Sequence, residues 1–420
     1  MLEDAYAERD FEVVNCGVTA INSFALLDFV EEVVHYQPDL ILIYAGHNEF
    51  VGPYGVTTPF VRVGNNWHLI RAHMFLQRLR LYQGLRELLD AASLWRGGGK
   101  EQDFGLHLVR REVYLDSQEH RATEANYRRN LGEIVRLARQ RGVPVLLSTL
   151  VSNVQGFYPL RSQGPHPDLK GTILEPGKRM AFYTAILEKF PHHAAAHFEA
   201  GQVFAGAGDF ERAQWAFARA RDLDAIHLRA CSPFNRIIRE VARDKGVILV
   251  DSEQVFGKHS PRGLVGNELV AEYLHPSVYG HYLMAQGMVE VLVEHQQALD
   301  LEGGNAERLA SFEEYARRLG YSPRQQVHAR NDLILFLRNM PYQERPQVLR
   351  QRLAELVAAQ LAELPGLSYG EILDFARRGG LYFLEETIAL VEEGDQAPLR
   401  EKLEDLARPL GLDPRAGPGR

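Results

Sequence analysis

Three short, unbroken apolar runs constrain this chain more than any other feature. They are Pro38-Asp-Leu-Ile-Leu-Ile-Tyr-Ala-Gly46, Val143-Pro-Val-Leu-Leu-Ser-Thr-Leu150 and Gly246-Val-Ile-Leu-Val-Asp251. A strand with one wet face alternates polar and apolar residues; a continuous run predicts a strand buried on both faces, as in a parallel sheet. Helix patterns separate the runs. Phe24, Leu27, Val30, Val33 and Val34 recur at three- to four-residue spacing, and Asn126 to Arg141, Phe234 to Lys245 and Tyr282 to Val293 read as further helices. A fourth run, Phe11-Glu-Val-Val-Asn-Cys-Gly17, predicts a strand before the first of these helices. Strand–helix alternation of this kind implies an α/β fold with a mostly parallel sheet.

Two stretches interrupt the alternation. Residues from about 50 to 120 read as loop and helix with a Gly97-Gly98-Gly99 break. Between the later strands, His197, Ala200, Gly201, Phe204, Ala213, Phe217 and Ala220 follow the small/large spacing of a tetratricopeptide repeat, with Gly208 at the turn. Tyr183, Ile186 and Pro191 fall where a preceding repeat would put its second helix. An ordinary helical hairpin is the alternative, and one and a half repeats make no long peptide groove. Beyond about residue 301 the chain reads as helical. Leu349, Leu353, Leu356, Val357, Leu361 and Leu364 share one face, and the tail from Asp413 to Arg420 reads as disordered.

Composition excludes some function classes. Among 420 residues, 47 Lys+Arg against 55 Asp+Glu give a net charge of −8, which argues against a nucleic-acid-coating protein. Two cysteines, Cys16 and Cys231, are too few for a disulfide framework. No apolar run approaches the ~18–20 residues of a membrane span, and the polar start MLEDAYAERD does not resemble a signal peptide. No phosphate-binding glycine motif occurs, so no cofactor is expected. The run His192-His193-x-x-x-His197 is near one helical turn in spacing but lacks a supporting carboxylate or cysteine, so no metal is expected either. Arg128, Arg129, Arg136, Arg139 and Arg141 are expected on a solvated helix face.

In an open α/β sheet, ligands bind beyond the carboxyl ends of the strands. Three such ends carry candidate chemistry: Gly17; the block Gly46-His47-Asn48-Glu49; and Glu272-Tyr273-Leu274-His275-Pro276, followed by Ser-Val-Tyr-Gly280-His-Tyr-Leu-Met-Ala285. In this order the blocks resemble the SGNH, or GDSL-type, hydrolase family over about residues 11–50, 126–152 and 234–295. The resemblance implies a flavodoxin-like parallel sheet of order 2-1-3-4-5 and acyl transfer through a serine ester. It implies His275 as the base, Glu272 as the residue orienting it, and Gly17 and Asn48 as oxyanion-hole donors. Gly46 and Glu49 would support the block. Glu272 and Glu49 stand where the family usually has Asp. The alternatives are a capping or packed histidine at 275, tight turns at Gly17 and Gly46, and an Asn48 that satisfies loop backbone.

The family's nucleophile lies in a Gly-Asp-Ser-like block after the first strand, and that block does not occur. Ser23 sits in a helix pattern and Ser148 within a strand. The first visible strand would then be the family's second, with the central strand missing. That predicts a longer protein of which Met1 is an internal methionine. The location is cytoplasmic if Met1 is the start, and exported or membrane-anchored if a segment precedes it.

The expected organisation is an SGNH-type domain over 1–160, with a helical insertion at about 51–125. A tetratricopeptide-like insertion follows at 161–230, then the second part of the domain at 231–300 and a helical extension at 301–420. The expected substrate is an ester of a small molecule, lipid or polysaccharide. The alternatives are an O-acyltransferase of the same type and a non-catalytic protein presenting the repeat-like hairpin to a protein partner.

Overall fold

The three continuous apolar runs form the three strands β1 (Ile41–Ile43), β2 (Val145–Ser148) and β3 (Ile248–Val250), paired in parallel in that order in a computed structural model. Ile41 faces Val145, and Leu146 faces Ile248, so each strand is in step with its neighbour. The structure describes residues 1–57, 64–84, 87–88, 111–169, 175–338, 352 and 356. The Gly97–Gly99 break, the tail, and the helix face from Leu349 to Leu364 apart from Leu356 lie outside them.

The fold is α/β, with far more helix than strand. Side-chain alternation along the strands decides which helices cover which face. Ile41, Ile43, Val145 and Leu147 point to one face and pack against α2 (Ser23–Val33), α4 (Gln118–Gln140) and α8 (Ser232–Lys245) through Leu27, Val30, Leu131, Ile134, Phe234 and Ile237. Leu146 and Val250 point to the other face, where Leu292 of α10 (Val278–Glu294) covers them. Helix α4 starts earlier than its apolar pattern suggests, because Ser117 caps it by accepting from the His120 N–H at 3.1 Å.

The strand expected at 11–17 is not formed, and this corrects the sequence reading. The segment is irregular, with Val13 and Val14 75% and 71% exposed. A β-branched run holds a strand only when a ladder partner takes its backbone groups, and no described strand lies beside it. On its free side β1 likewise has no strand partner among the described residues. Leu42 is 41% exposed while Leu146, its neighbour in register, is fully buried. The helix cover therefore stops short of β1 on that face.

Ahead of this segment, α1 (Leu2–Ala5) docks through Ala5 and Tyr6 on Val289 of α10. Helices α5 (Pro176–Lys189), α6 (Ala194–Gly206) and α7 (Phe210–Asp222) follow β2. Gly208, at φ +81°, turns the chain between α6 and α7. A Cβ at Gly201 would lie 2.8 Å from the Phe217 ring, so the small residue is what lets the two helices approach.

The chain divides into two compact units, Met1–Leu309 and Ala310–Arg420. The helical extension expected from 301 begins after Leu309. Residues 301–309 belong to the first unit, where the Asn305 N–H donates to Ala5 O at 2.9 Å and Gly304 packs against the Tyr6 ring. The described part of the second unit contains α11 (Phe312–Arg318) and α12 (Pro323–Arg338). No helix among the described residues is long and apolar enough to cross a membrane.

Candidate active site

The loop between α9 (Ser252–His259) and α10 carries Glu272 and His275, and β2's exit segment holds it in place. Val270 and Pro276 form an antiparallel bridge, and Ala271 N–H donates to His275 O at 2.8 Å. Asn153, just beyond β2, donates from its backbone to Tyr273 O at 3.1 Å and from its side chain to Asn267 Oδ1 at 2.8 Å. A buried asparagine thus fastens the loop to the carboxyl end of the sheet.

Within this loop the structure brings Glu272 and His275 together. The buried Glu272 carboxylate meets His275 Nδ1 and accepts the backbone N–H groups of Tyr273 and of Leu274, the latter at 2.8 Å. With the His275 backbone N–H, which donates at 3.3 Å, four donors in one turn offset the desolvation of a buried carboxylate. With Nδ1–H given to Glu272, Nε2 keeps its lone pair, and the His275 side chain is 66% exposed. The Glu272 hydrogen bond raises the His275 pKa above its ordinary 6.5, against a smaller opposing effect of burial. The pair can accept a proton at Nε2 and stabilise the imidazolium that results.

The block after β1 approaches from the neighbouring strand end. Gly46 turns the chain at φ +147°, and a Cβ there would fall 2.6 Å from Tyr127 Oη and 2.8 Å from Leu150 Cδ1. The tyrosine hydroxyl occupies that space because it donates to Ala45 O at 2.6 Å. Asn48 is half-buried, and its side-chain amide makes no hydrogen bond among the described residues. Glu49 is buried and structural in its contacts. Its carboxylate accepts the Ser23 N–H and hydroxyl, both at 2.7 Å, at the start of α2, where the N-cap residue Asn22 makes no side-chain cap bond. Asn130 joins this network through Ser23 Oγ at 2.9 Å, and Trp67, at the start of α3 (Trp67–Gln77), donates to Asn130 at 2.6 Å. Burial pushes the Glu49 carboxyl up to about 7, against the lowering effect of the Ser23 bonds.

Gly17 is placed differently. It lies in the exposed irregular segment with its N–H donated to Asn15 Oδ1 at 2.8 Å. In this arrangement that N–H is already occupied and is not presented as an oxyanion donor.

Sequence reasoning passed over His47 and Tyr44. His47 Nδ1 accepts the Ala230 N–H at 3.1 Å, so its proton sits on Nε2, which faces Tyr44 Oη at 3.3 Å. Tyr44 Oη also accepts the Val151 N–H at 3.3 Å. Burial first, then the charges of His275, Arg221 and Arg229, lower His47 to about 3, so it stays neutral. His47 stood inside a block already singled out, yet nothing in the spacing signals that its partners are Ala230, 183 residues on, and Tyr44.

Within the histidine run, His193 and His197 make structural hydrogen bonds. His193 Nδ1 accepts the Ala196 N–H at 3.2 Å as the cap of α6, and His197 Nε2 donates to Pro191 O at 3.0 Å. The arginines of α4 are exposed; Arg128 pairs with Glu240, and Arg136 with Glu133 at 2.8 Å. Among the described residues, metal-ligating side chains converge instead at His120, His227 and Cys231. Compared with protein-family models, curated proteins and solved structures, the chain matches none.

Proposed function

We propose that the first unit is an SGNH-type ester hydrolase that works through a serine acyl-enzyme on a flavodoxin-like sheet. The observation that carries the reading is the buried Glu272 carboxylate on His275 Nδ1, beside an exposed Nε2 at the carboxyl end of a parallel sheet. The reaction needs a serine nucleophile on a further strand beside β1, in the place between segment 11–17 and β1. The edge of β1, which has no strand partner among the described residues, the exposed Leu42 and the unformed strand at 11–17 support that placement.

In the reaction, His275 Nε2 takes the serine proton as the hydroxyl attacks the ester carbonyl. Glu272 holds the imidazole in the reactive tautomer. The free Asn48 amide donates to the developing oxyanion, and Gly17 joins it once its segment pairs into the sheet and releases Asn15. The imidazolium returns its proton to the leaving alcohol. Water then repeats the sequence on the acyl-enzyme, giving acid, alcohol and free serine. Each oxyanion donor is worth about 3–4 kcal/mol in the transition state.

The test is labelling of the protein from its native source with a fluorophosphonate probe. Labelling that disappears in His275→Ala supports the hydrolase; an unlabelled folded protein overturns it. In the latter case the exposed Trp215 of α7 favours the alternative of an interaction scaffold built on the α6–α7 hairpin. Acyl transfer to an added alcohol in preference to water would make the enzyme an O-acyltransferase.

A further inference from the structure

Behind the block after β1 lies a second group of reactive side chains that the proposed hydrolysis does not use. His120 belongs to the first turn of α4, and Cys231 is the N-cap residue of α8, four residues after His227. All three are buried, at 0%, 2% and 1% exposure for His120, His227 and Cys231. One ring nitrogen of each histidine and the Cys231 sulfur lie within 4.8 Å of one another.

The hydrogen bonds around the group fix what each atom offers. His227 Nε2 donates to Val113 O at 2.9 Å, so its Nδ1 carries the lone pair, and that atom faces Cys231 Sγ at 3.1 Å. His120 is the independent sign of a ligand: neither ring nitrogen has a hydrogen-bond partner among the described residues, although the side chain is completely buried. The Glu124 carboxylate lies 2.8 Å from His120 Nδ1 but is not aligned as an acceptor. Buried imidazoles are ordinarily satisfied. Phe50 stacks on His227 with ring centroids 4.3 Å apart and lies 5.2 Å from His120, which walls the group off.

We propose that His120, His227 and Cys231 form a three-donor site for a thiophilic cation, Zn²⁺, that fastens the start of α4 to the start of α8. Two imidazoles and a thiolate are a donor set Zn²⁺ favours. A tetrahedral ion holds its donors roughly 3.5 Å apart, so the trio draws in by little more than about 1 Å. The outer partners also match. Ligating histidines commonly give their second N–H to a carbonyl or a carboxylate; Val113 O already serves His227, and Glu124 stands beside His120. The thiol loses its proton on binding, and a solvent oxygen completes the shell. Nothing in this assignment depends on the hydrolase reading.

The experiment is Co²⁺ titration of the full 420-residue chain after chelator treatment, with native mass spectrometry of the same chain in micromolar Zn²⁺. The expected result is one ion per chain, with a sulfur-to-cobalt charge-transfer band that Zn²⁺ abolishes. Cys231→Ser removes the band, Cys16→Ser keeps it, and His120→Gln weakens binding tenfold or more, with circular dichroism confirming that each variant is folded. A wild-type chain that stays metal-free in the mass spectrum, or a band that survives Cys231→Ser, overturns the proposal. The mass measurement needs no variant, so a misfolded mutant does not blunt the test.

Discussion

At Glu272, one carboxylate serves both as an acceptor for the backbone of its own turn and as the partner of an imidazole. Replacing it with Gln keeps the shape and removes the charge. Glu272→Gln is expected to return the His275 pKa toward 6.5 and to lower kcat/KM by about 10³-fold, the scale expected when a base loses its orienting anion. The acid limb of the pH–rate profile shifts downward with it; an NMR titration of the imidazole checks the first effect and ester kinetics the second. Because the folded pKa of His275 is raised, its contribution to stability is complete below about 6.5 and fades as pH rises through the folded value. Glu49 has the opposite chemistry. Its folded value of about 7, against 4.5 ordinarily, means the folded chain holds a proton that the unfolded chain has released. Stability should therefore fall between pH 4.5 and 7, by roughly 1–3 kcal/mol. Thermal melts at pH 5 and pH 7.5 measure this, and Glu49→Gln is expected to flatten the difference.

Helices and strands differed in how well they could be read. The helix patterns at 24–34, 234–245 and 282–293 became α2, α8 and α10, because a helix satisfies its own backbone and needs only one buried stripe from its neighbours. A strand needs a partner, and here each partner is about a hundred residues away. The runs at 38–46, 143–150 and 246–251 found partners in one another, whereas 11–17 has none among the described residues and is irregular. The α6–α7 hairpin was legible through its small residues, and it carries a direct test. Gly201→Leu drives a side chain into the Phe217 ring and should destabilise the chain by about 1–3 kcal/mol; Phe217→Ala leaves a hole instead and should cost about 3–5 kcal/mol. Both are read as shifts in the thermal melting of the unit.

For the first unit as a whole, the free side of β1 is the feature with the widest consequences. A strand edge with no partner among the described residues, beside an exposed leucine, is a template for intermolecular pairing. The 420-residue chain is expected to bind a hydrophobic dye and to self-associate, and Leu42→Lys should suppress both in dye-binding and light-scattering measurements. Cooperative, monomeric, dye-free behaviour of the unsubstituted chain would remove the support that the open edge gives to a missing strand. The sequence by itself determined the α/β class, the three paired strands and the hairpin, because each depends on local spacing or on a continuous apolar run; the pairing of Glu272 with His275 was an expectation drawn from a family resemblance. Only the tertiary structure decided that Gly17 gives its N–H to Asn15, that His47 is held between Ala230 and Tyr44, and that His120 meets His227 and Cys231. Those contacts join residues through the packing of separate elements, or depend on a neighbouring strand being present, and no spacing along the chain encodes either.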